Sequence, residues 1–125
     1  MKKLKILPLF LLSMSLSSCF LGTYIMESGS IEQSDNEISG NYVDLQGNIK
    51  RKFELESEEL HFLFIVKSDK GNKGNLSLTV SKDNEVEKQY VNLSAAYLVF
   101  TLESGDYLIK IQAMHHSGSF SLTWE

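Results

Sequence analysis

Cysteine and proline are nearly absent from this chain of 125 residues. Cys19 is the only cysteine and Pro8 the only proline. Small domains are often held together by disulfides, but a single cysteine has no partner within its own chain. A domain formed by the residues after Cys19 must therefore be stabilised by packing alone.

Positive charge is also scarce beyond the N-terminus. Lys2, Lys3 and Lys5 account for three of the 12 basic residues. The rest of the chain has nine basic and 16 acidic residues, a formal charge of −7. An acidic surface of this kind makes nucleic acids and anionic lipid headgroups poor partners.

Sequence motifs for catalysis are missing. The chain has no Gly-x-Ser-x-Gly elbow, no His-Glu-x-x-His motif and no glycine-rich phosphate loop. We therefore predict a protein that is not an enzyme, with no catalytic residues, no metal site and no cofactor.

Helical periodicity is missing after Cys19, and alternating residues take its place. Turn clusters recur about every ten residues, among them Gln46-Gly47-Asn48 and Lys82-Asp83-Asn84-Glu85, and short alternating runs lie between them. Residues 60–66 are the most apolar run and are predicted as the central strand. The pattern predicts an all-β fold, an antiparallel jelly-roll-like sandwich of about seven or eight strands over residues 41–125.

The N-terminus has the layout of a signal peptide. Three lysines precede an apolar stretch over residues 6–14, and small residues follow. The apolar stretch is about half the roughly 20 residues that a transmembrane helix needs. Residues 1–18 are therefore predicted to be a cleaved signal peptide.

The end of this segment, Leu16-Ser17-Ser18-Cys19, resembles the lipobox of bacterial lipoproteins. The resemblance implies that diacylglycerol is attached to the Cys19 sulfur and that cleavage leaves Cys19 at the mature N-terminus. Two or three acyl chains hold a protein stably at a membrane. The implied location is extracytoplasmic, on the cell membrane or the outer membrane. Phe20 stands where some Gram-negative lipoproteins carry an inner-membrane retention aspartate, which favours an outer-membrane or Gram-positive surface location.

Residues 19–40 are polar and acidic around one apolar island, Tyr24-Ile25-Met26. We interpret them as a lipid-anchored tether, which as a random coil of about 20 residues spans roughly 25 Å. The alternative is that Tyr24 to Met26 pair into the sheet and the tether is shorter.

The C-terminal part resembles the closing strands of bacterial pre-peptidase C-terminal domains and related jelly-roll modules. The residues that carry the resemblance are Leu102-Glu103-Ser104-Gly105-Asp106-Tyr107-Leu108-Ile109-Lys110-Ile111 and Ser117-Gly118-Ser119-Phe120-Ser121-Leu122. The resemblance implies an extracellular accessory module of a kind often linked with carbohydrate or protein binding.

Three histidines are candidates for chemistry, but each has a simpler interpretation. His115 and His116 are adjacent, and adjacent strand residues face opposite ways, so they share a metal only if they lie in a loop. No ligand set accompanies them, and a solvated hairpin turn is the prediction. His61 interrupts the apolar run over residues 60–66. It is predicted to be a core or half-buried histidine with its ring nitrogens hydrogen-bonded, and a catalytic base is the alternative.

Two charged segments have functional alternatives. The loop over residues 69–75 contains Asp69, Asn72 and Asn75, oxygen donors of the kind that bind calcium, but two lysines compete with an ion there. A solvated turn is the prediction. The glutamates of residues 54–59 form either a wet strand end or an acidic patch for a basic partner.

Four aromatic residues are candidates for stacking on sugar rings: Tyr90, Tyr97, Tyr107 and Trp124. Tyr97 and Trp124 are our candidate ligand-binding residues, while core or edge packing is the alternative for all four. The sequence as a whole predicts a lipid-anchored binding or structural module of the bacterial cell envelope. Its partner is an envelope protein or a glycan, and the alternatives are a carbohydrate-binding module and a small subunit or inhibitor of another surface protein.

Overall fold

The computed structural model describes residues 20–125. The predicted signal peptide and Cys19 lie outside these described residues. Within residues 20–125 there is no helix of the length and apolarity required to cross a membrane.

The described residues form nine strands and no helix. The strands are β1 (Phe20–Leu21), β2 (Tyr24–Ile25), β3 (Ser28–Gln33), β4 (Glu37–Leu55), β5 (Leu60–Ser68), β6 (Asn75–Lys82), β7 (Glu85–Leu93), β8 (Ala96–Leu102) and β9 (Gly105–Trp124). All pairings are antiparallel. The predicted all-β, jelly-roll-like sandwich is confirmed, and the predicted run 60–66 lies within β5.

Two long strands, β4 and β9, run through both layers of the sandwich. They pair with each other from Glu37↔Thr123 to Leu55↔Gly105, with register shifts between Tyr42 and Gly47. Residues 107–114 of β9 also pair with β6, and residues 118–124 pair with β5. We call the layer containing β6 and β7 sheet A and the layer containing β5 and β8 sheet B.

The core lies between the two sheets and is formed by alternating residues of each strand. Leu76, Leu78 and Val80 of β6 are fully buried, as are Phe62 and Phe64 of β5. The rings of Phe62 and Phe100 stack at 5.0 Å between centroids. A core of 21 buried hydrophobic residues gives a chain without disulfides its stability.

The N-terminal residues differ from the predicted tether. β2 pairs with β4 through Tyr24↔Gly47 and Ile25↔Gln46, and β3 pairs along residues 38–43. The open alternative, that Tyr24 joins the sheet, is the arrangement found. Most side chains of β3 are exposed, while Tyr24, Met26 and Ile31 pack against the core. This segment therefore forms edge strands although its polar composition is typical of a linker.

Candidate binding surfaces

The outer surface of sheet B combines apolar and hydroxyl side chains in rows across its strands. One row crosses the sheet as Tyr97, Ile65, Ser121 and Ser39, since these residues are directly paired. The next row is Val99, Leu63, Thr123 and Glu37. We call this surface the Tyr97 face.

Tyr97 is the most exposed large apolar side chain on this face. It is 70% exposed, and Val99 beside it is 68% exposed. Both residues lie on β8, which among the strands of residues 20–125 pairs with β5 alone and is an edge strand. A depression of about 370 Å³ opens beside them, and its lining includes Asn36, His61, Leu63, Tyr97, Thr123 and Trp124.

Trp124 borders the same depression, but its ring is part of the core. The residue is only 7% exposed. Its ring meets Phe53 edge-to-face at 4.9 Å, and the Arg51 guanidinium lies 4.9 Å from its centroid. The structure thus brings the two predicted aromatics to one place, with Tyr97 presenting its ring to solvent and Trp124 fixed beneath the surface.

Arg51 secures the region behind Trp124. The residue is buried, and its Nη1 donates to Gln33 Oε1 at 2.9 Å and to the Ser34 carbonyl oxygen at 3.0 Å. Burial lowers the pKa of its guanidinium, and the nearby Asp35 opposes that effect. These contacts connect the β3–β4 turn to the floor of the depression.

Core packing, the alternative to a role in sugar binding, is what the structure shows for the other two candidate tyrosines. Tyr107 is buried, and the Lys82 ammonium lies 5.6 Å from its ring centroid. Tyr90 is half-buried with its ring 6.4 Å from Phe100. Neither ring is displayed as Tyr97 is.

His61 is exposed rather than in the core or half-buried. Phe62 and Phe64 point into the core, so alternation turns His61 outward. Its Nδ1 lies 3.2 Å from Thr101 Oγ1, and its Nε2 lies 3.5 Å from Glu59 Oε1. The imidazole therefore stands at the rim of the depression, and Glu59 is the one member of the 54–59 glutamate run that contacts it.

His115 and His116 lie within β9 rather than in a hairpin turn. Both β4 and β9 bend here, and Asp44 and His115 have positive φ angles of 56° and 53°. His115 Nδ1 lies 2.9 Å from Asp44 Oδ1 on the surface. An irregularity of this kind allows a long strand to change layers, and the polar residues that suggested a turn are the ones that tolerate it.

His116 is fully buried on the opposite side of β9. Its Nδ1 lies 2.8 Å from the Tyr42 hydroxyl, and its Nε2 lies 3.0 Å from Ser68 Oγ. Ser68 Oγ donates to the carbonyl oxygen of Ser94. Burial lowers the pKa of His116 and raises the pKa of Tyr42, and in both cases Asp69 adds a smaller upward effect.

The loop over residues 69–75 braces this bend. Asn72 Oδ1 accepts from the backbone N–H of Gly74 at 3.2 Å and of Ser117 at 2.9 Å. Its Nδ2 donates to the Gly74 carbonyl oxygen at 2.9 Å. Across residues 20–125, no group of three or more His, Cys, Asp or Glu side chains is placed to hold a metal ion.

Sequence reasoning missed Leu63, Ile65 and Val99 as part of a surface. The signal was present, because residues 97–102 are apolar at almost every position, which places apolar side chains on both faces of β8. Only the pairing of β8 with β5 shows that these outward residues are contiguous.

Among the comparisons with known proteins, only the one with solved structures shows the fold of this chain. No family model matches the chain, and neither does any curated protein. The solved structure of TmCBM61 in complex with β-1,4-galactotriose covers 85% of this chain and 87% of its own, with 10% identity and a TM-score of 0.53. This chain and TmCBM61 therefore share a fold.

Two further carbohydrate-binding modules align with lower scores. CBM86 from Roseburia intestinalis, a low-affinity xylan-binding module, covers 86% of this chain and 91% of its own, with 13% identity and a TM-score of 0.41. A family 35 module from Clostridium thermocellum covers 86% of this chain and 98% of its own, with 13% identity and a TM-score of 0.39.

Proposed function

We propose that this chain is a non-enzymatic carbohydrate-binding module that holds a neutral glycan on the Tyr97 face. The observation that carries the proposal is the exposed Tyr97 ring, flanked by apolar Val99 and Leu63 and followed across the sheet by hydroxyl side chains. This is the arrangement that a sugar ring requires, since one of its faces is made of C–H groups and its rim of hydroxyls.

Each part of the face has a role in such a complex. The sugar C–H face packs on the Tyr97 ring, which offers a large rigid surface at low entropic cost. Thr123, Ser121 and Glu37 exchange hydrogen bonds with the hydroxyl rim. A few convergent polar groups beside an apolar surface are typical of ligand sites.

The shared fold with TmCBM61 supports this proposal and suggests the first probe. That protein was captured with β-1,4-galactotriose. We therefore select β-1,4-galacto-oligosaccharides as the first ligands for titration calorimetry, followed by a panel of other neutral glycans.

Replacing Tyr97 tests the stacking role. Tyr97→Ala should weaken glycan binding by about tenfold or more, because the stacking surface is lost. Tyr97→Phe keeps the ring and should retain most of the affinity. The expected order in calorimetry is wild type, then Tyr97→Phe, then Tyr97→Ala.

A matched control lies on the other sheet. Val86 is 58% exposed on β7, so Val86→Ala should leave both folding and the affinity for neutral glycans unchanged. Equal affinity of Tyr97→Ala and wild type for every bound glycan, or no binding to any glycan of the panel, would refute this function.

We further propose that a lipid on Cys19 anchors the module to the extracytoplasmic side of a bacterial membrane. The support is the lipobox-like segment Leu16-Ser17-Ser18-Cys19 behind a signal peptide pattern. β1 begins at Phe20, directly after Cys19, and pairs with Arg51 of β4. An anchored domain of this architecture stands close to the lipid surface, without the long tether that the composition suggested.

Changing the cysteine tests the anchor. Cys19→Ala should abolish incorporation of labelled palmitate in bacterial cells, because the thiolate is the group that is alkylated. The protein should also move from the membrane fraction to the soluble fraction. Ser30→Ala, at an exposed position outside the lipobox-like segment, is the matched control with the thiol present, and labelling that persists in Cys19→Ala would rule the anchor out.

A further inference from the structure

The outer surface of sheet A carries a groove with a different chemistry from that of the Tyr97 face. The groove has a volume of about 490 Å³, within the roughly 300–1,000 Å³ range of small-molecule sites. Its lining includes lysine, amide and hydroxyl side chains beside the exposed apolar side chains of Val86, Val91 and Met114. The polar members include Lys50, Asn75, Gln89, Lys110 and Gln112. We call it the lysine groove.

Two lysines lie next to each other in the lining of this groove. Lys50 of β4 and Lys110 of β9 are directly paired in the antiparallel register. Side chains in such pairs have Cβ atoms about 4.5–5.5 Å apart, and like charges there are unfavourable. Both residues are only partly exposed, so water screens their repulsion less than it does at a fully exposed site.

No carboxylate near the pair relieves this repulsion. Their neighbours on the same surface are Asn48, Lys52, Leu108 and Gln112, by the register of β4 and β9. Among residues 20–125 neither lysine forms a salt bridge, and no Asp or Glu lines the groove. A concentration of positive charge in a domain whose residues after Cys19 have a formal charge of −7 points to an anionic ligand.

We propose that the lysine groove binds an acidic glycan, with a sugar carboxylate held between Lys50 and Lys110. The amides of Asn75, Gln89 and Gln112 both donate and accept hydrogen bonds, so they complement the hydroxyls of a sugar chain. Charge-assisted hydrogen bonds from the ammonium groups to the carboxylate supply the specificity for a uronate over a neutral sugar.

The limits of the groove favour a glycan over a lipid bilayer. Glu54 and Asp106 are directly paired two positions beyond Lys52 and Leu108, on the same surface. They close that end with negative charge, which an extended anionic membrane surface would meet unfavourably. A single carboxylated chain lying across the groove avoids them.

The probe for this site is an oligogalacturonate, compared with its methyl ester, which has the same sugar skeleton without the charge. The titration uses the full-length protein in detergent. A shortened soluble protein that begins at residue 20 is not used, because it would have to fold on its own. Binding of the acid and not of the ester, weakened by added salt, is the expected result. No binding of the acid, or equal binding of acid and ester, would overturn the proposal.

Variants locate the binding. Lys50→Gln and Lys110→Gln should each raise the Kd for oligogalacturonate by about tenfold. Lys73→Gln, in the exposed loop before β6, should leave it unchanged. Tyr97→Ala should also leave it unchanged, so failure of the neutral-glycan site and failure of this site give different results. An unaltered Kd in both groove variants would overturn the assignment.

A second measurement does not depend on the ligand chosen. Because the paired ammonium groups repel each other, Lys110→Gln should unfold at a higher temperature than the wild type when no glycan is present.

Phosphatidylglycerol vesicles test the competing possibility that the groove binds membrane lipid. Vesicle binding that is lost in the groove variants, without oligogalacturonate binding, would assign the groove to membrane lipid and overturn the glycan proposal.

Discussion

At the scale of single residues, the buried hydrogen-bond chain through His116 has one consistent direction. Ser68 Oγ donates to the Ser94 carbonyl oxygen, so it accepts from His116 Nε2. His116 Nδ1 is then an acceptor, and the Tyr42 hydroxyl donates to it. The neutral imidazole with its proton on Nε2 satisfies every group, whereas a second proton on Nδ1 would face the Tyr42 hydrogen.

This residue makes stability depend on pH. Burial lowers the folded-state pKa of His116 below its ordinary 6.5, so below that pH the unfolded chain binds the proton and the folded chain does not. Stability should therefore fall as the pH drops below 6.5, by up to about 1.4 kcal/mol per pH unit until the folded pKa is reached. Urea unfolding at about pH 7.5 and about pH 5.5 measures the difference.

His116→Gln is the matched variant. It removes the titrating group, so its stability should change less between the two pH values than that of the wild type, even though it is less stable at both. Ser68→Ala keeps the imidazole and should keep a pH dependence of the same sign. A wild-type stability that is constant across this range would contradict the neutral buried imidazole.

At the scale of elements, the hairpin of β6 and β7 could be predicted while the bends of β4 and β9 could not. Asp83 and Asn84 both have positive φ, and Lys82 pairs with Glu85, as the polar cluster indicated. Such a two-residue turn is determined locally, because Asn and Asp tolerate this backbone conformation. The sequence also predicted the alternation of β6 correctly.

The two long strands, β4 and β9, were not predicted because turns and β-bulges favour the same types of residue. Gln46-Gly47-Asn48 suggested a turn, yet β4 continues through Gly47, whose φ is 118°. A Cβ at Gly47 would lie 2.2 Å from the Thr23 carbonyl oxygen, so this glycine admits the close approach of the neighbouring chain. Only pairing across distant residues distinguishes the two outcomes.

For the candidate surfaces, too, some features could be predicted from neighbouring residues in the sequence and others depend on contacts between distant strands. Tyr97 was identifiable from the sequence as an aromatic residue in a short strand, but the burial of Trp124 depends on Phe53, Phe62 and Arg51 from two other strands. The pairing of Lys50 with Lys110 joins residues 60 positions apart. Periodicity says which side of a strand a residue takes, and it does not say which strand lies beside it.

At the scale of the whole molecule, the shared strands should make the two sheets unfold together. β4 and β9 each contribute to both layers, so neither sheet keeps its strands if the other opens. Trp124 is the only tryptophan in the chain and pairs with Phe62 in sheet B. Its fluorescence therefore reports on sheet B, while far-ultraviolet circular dichroism reports on all strands.

A core substitution in sheet A tests this coupling. Leu78 is fully buried in β6, and Leu78→Ala should cost about 2–5 kcal/mol because it removes packed methyl groups and leaves a cavity. If the domain is cooperative, the Trp124 fluorescence transition in urea should shift to lower denaturant by the same amount as the dichroism transition. Val86→Ala, exposed on β7, should shift neither. A Trp124 transition that stays at the wild-type position while the dichroism midpoint falls would show instead that sheet B is stable without sheet A.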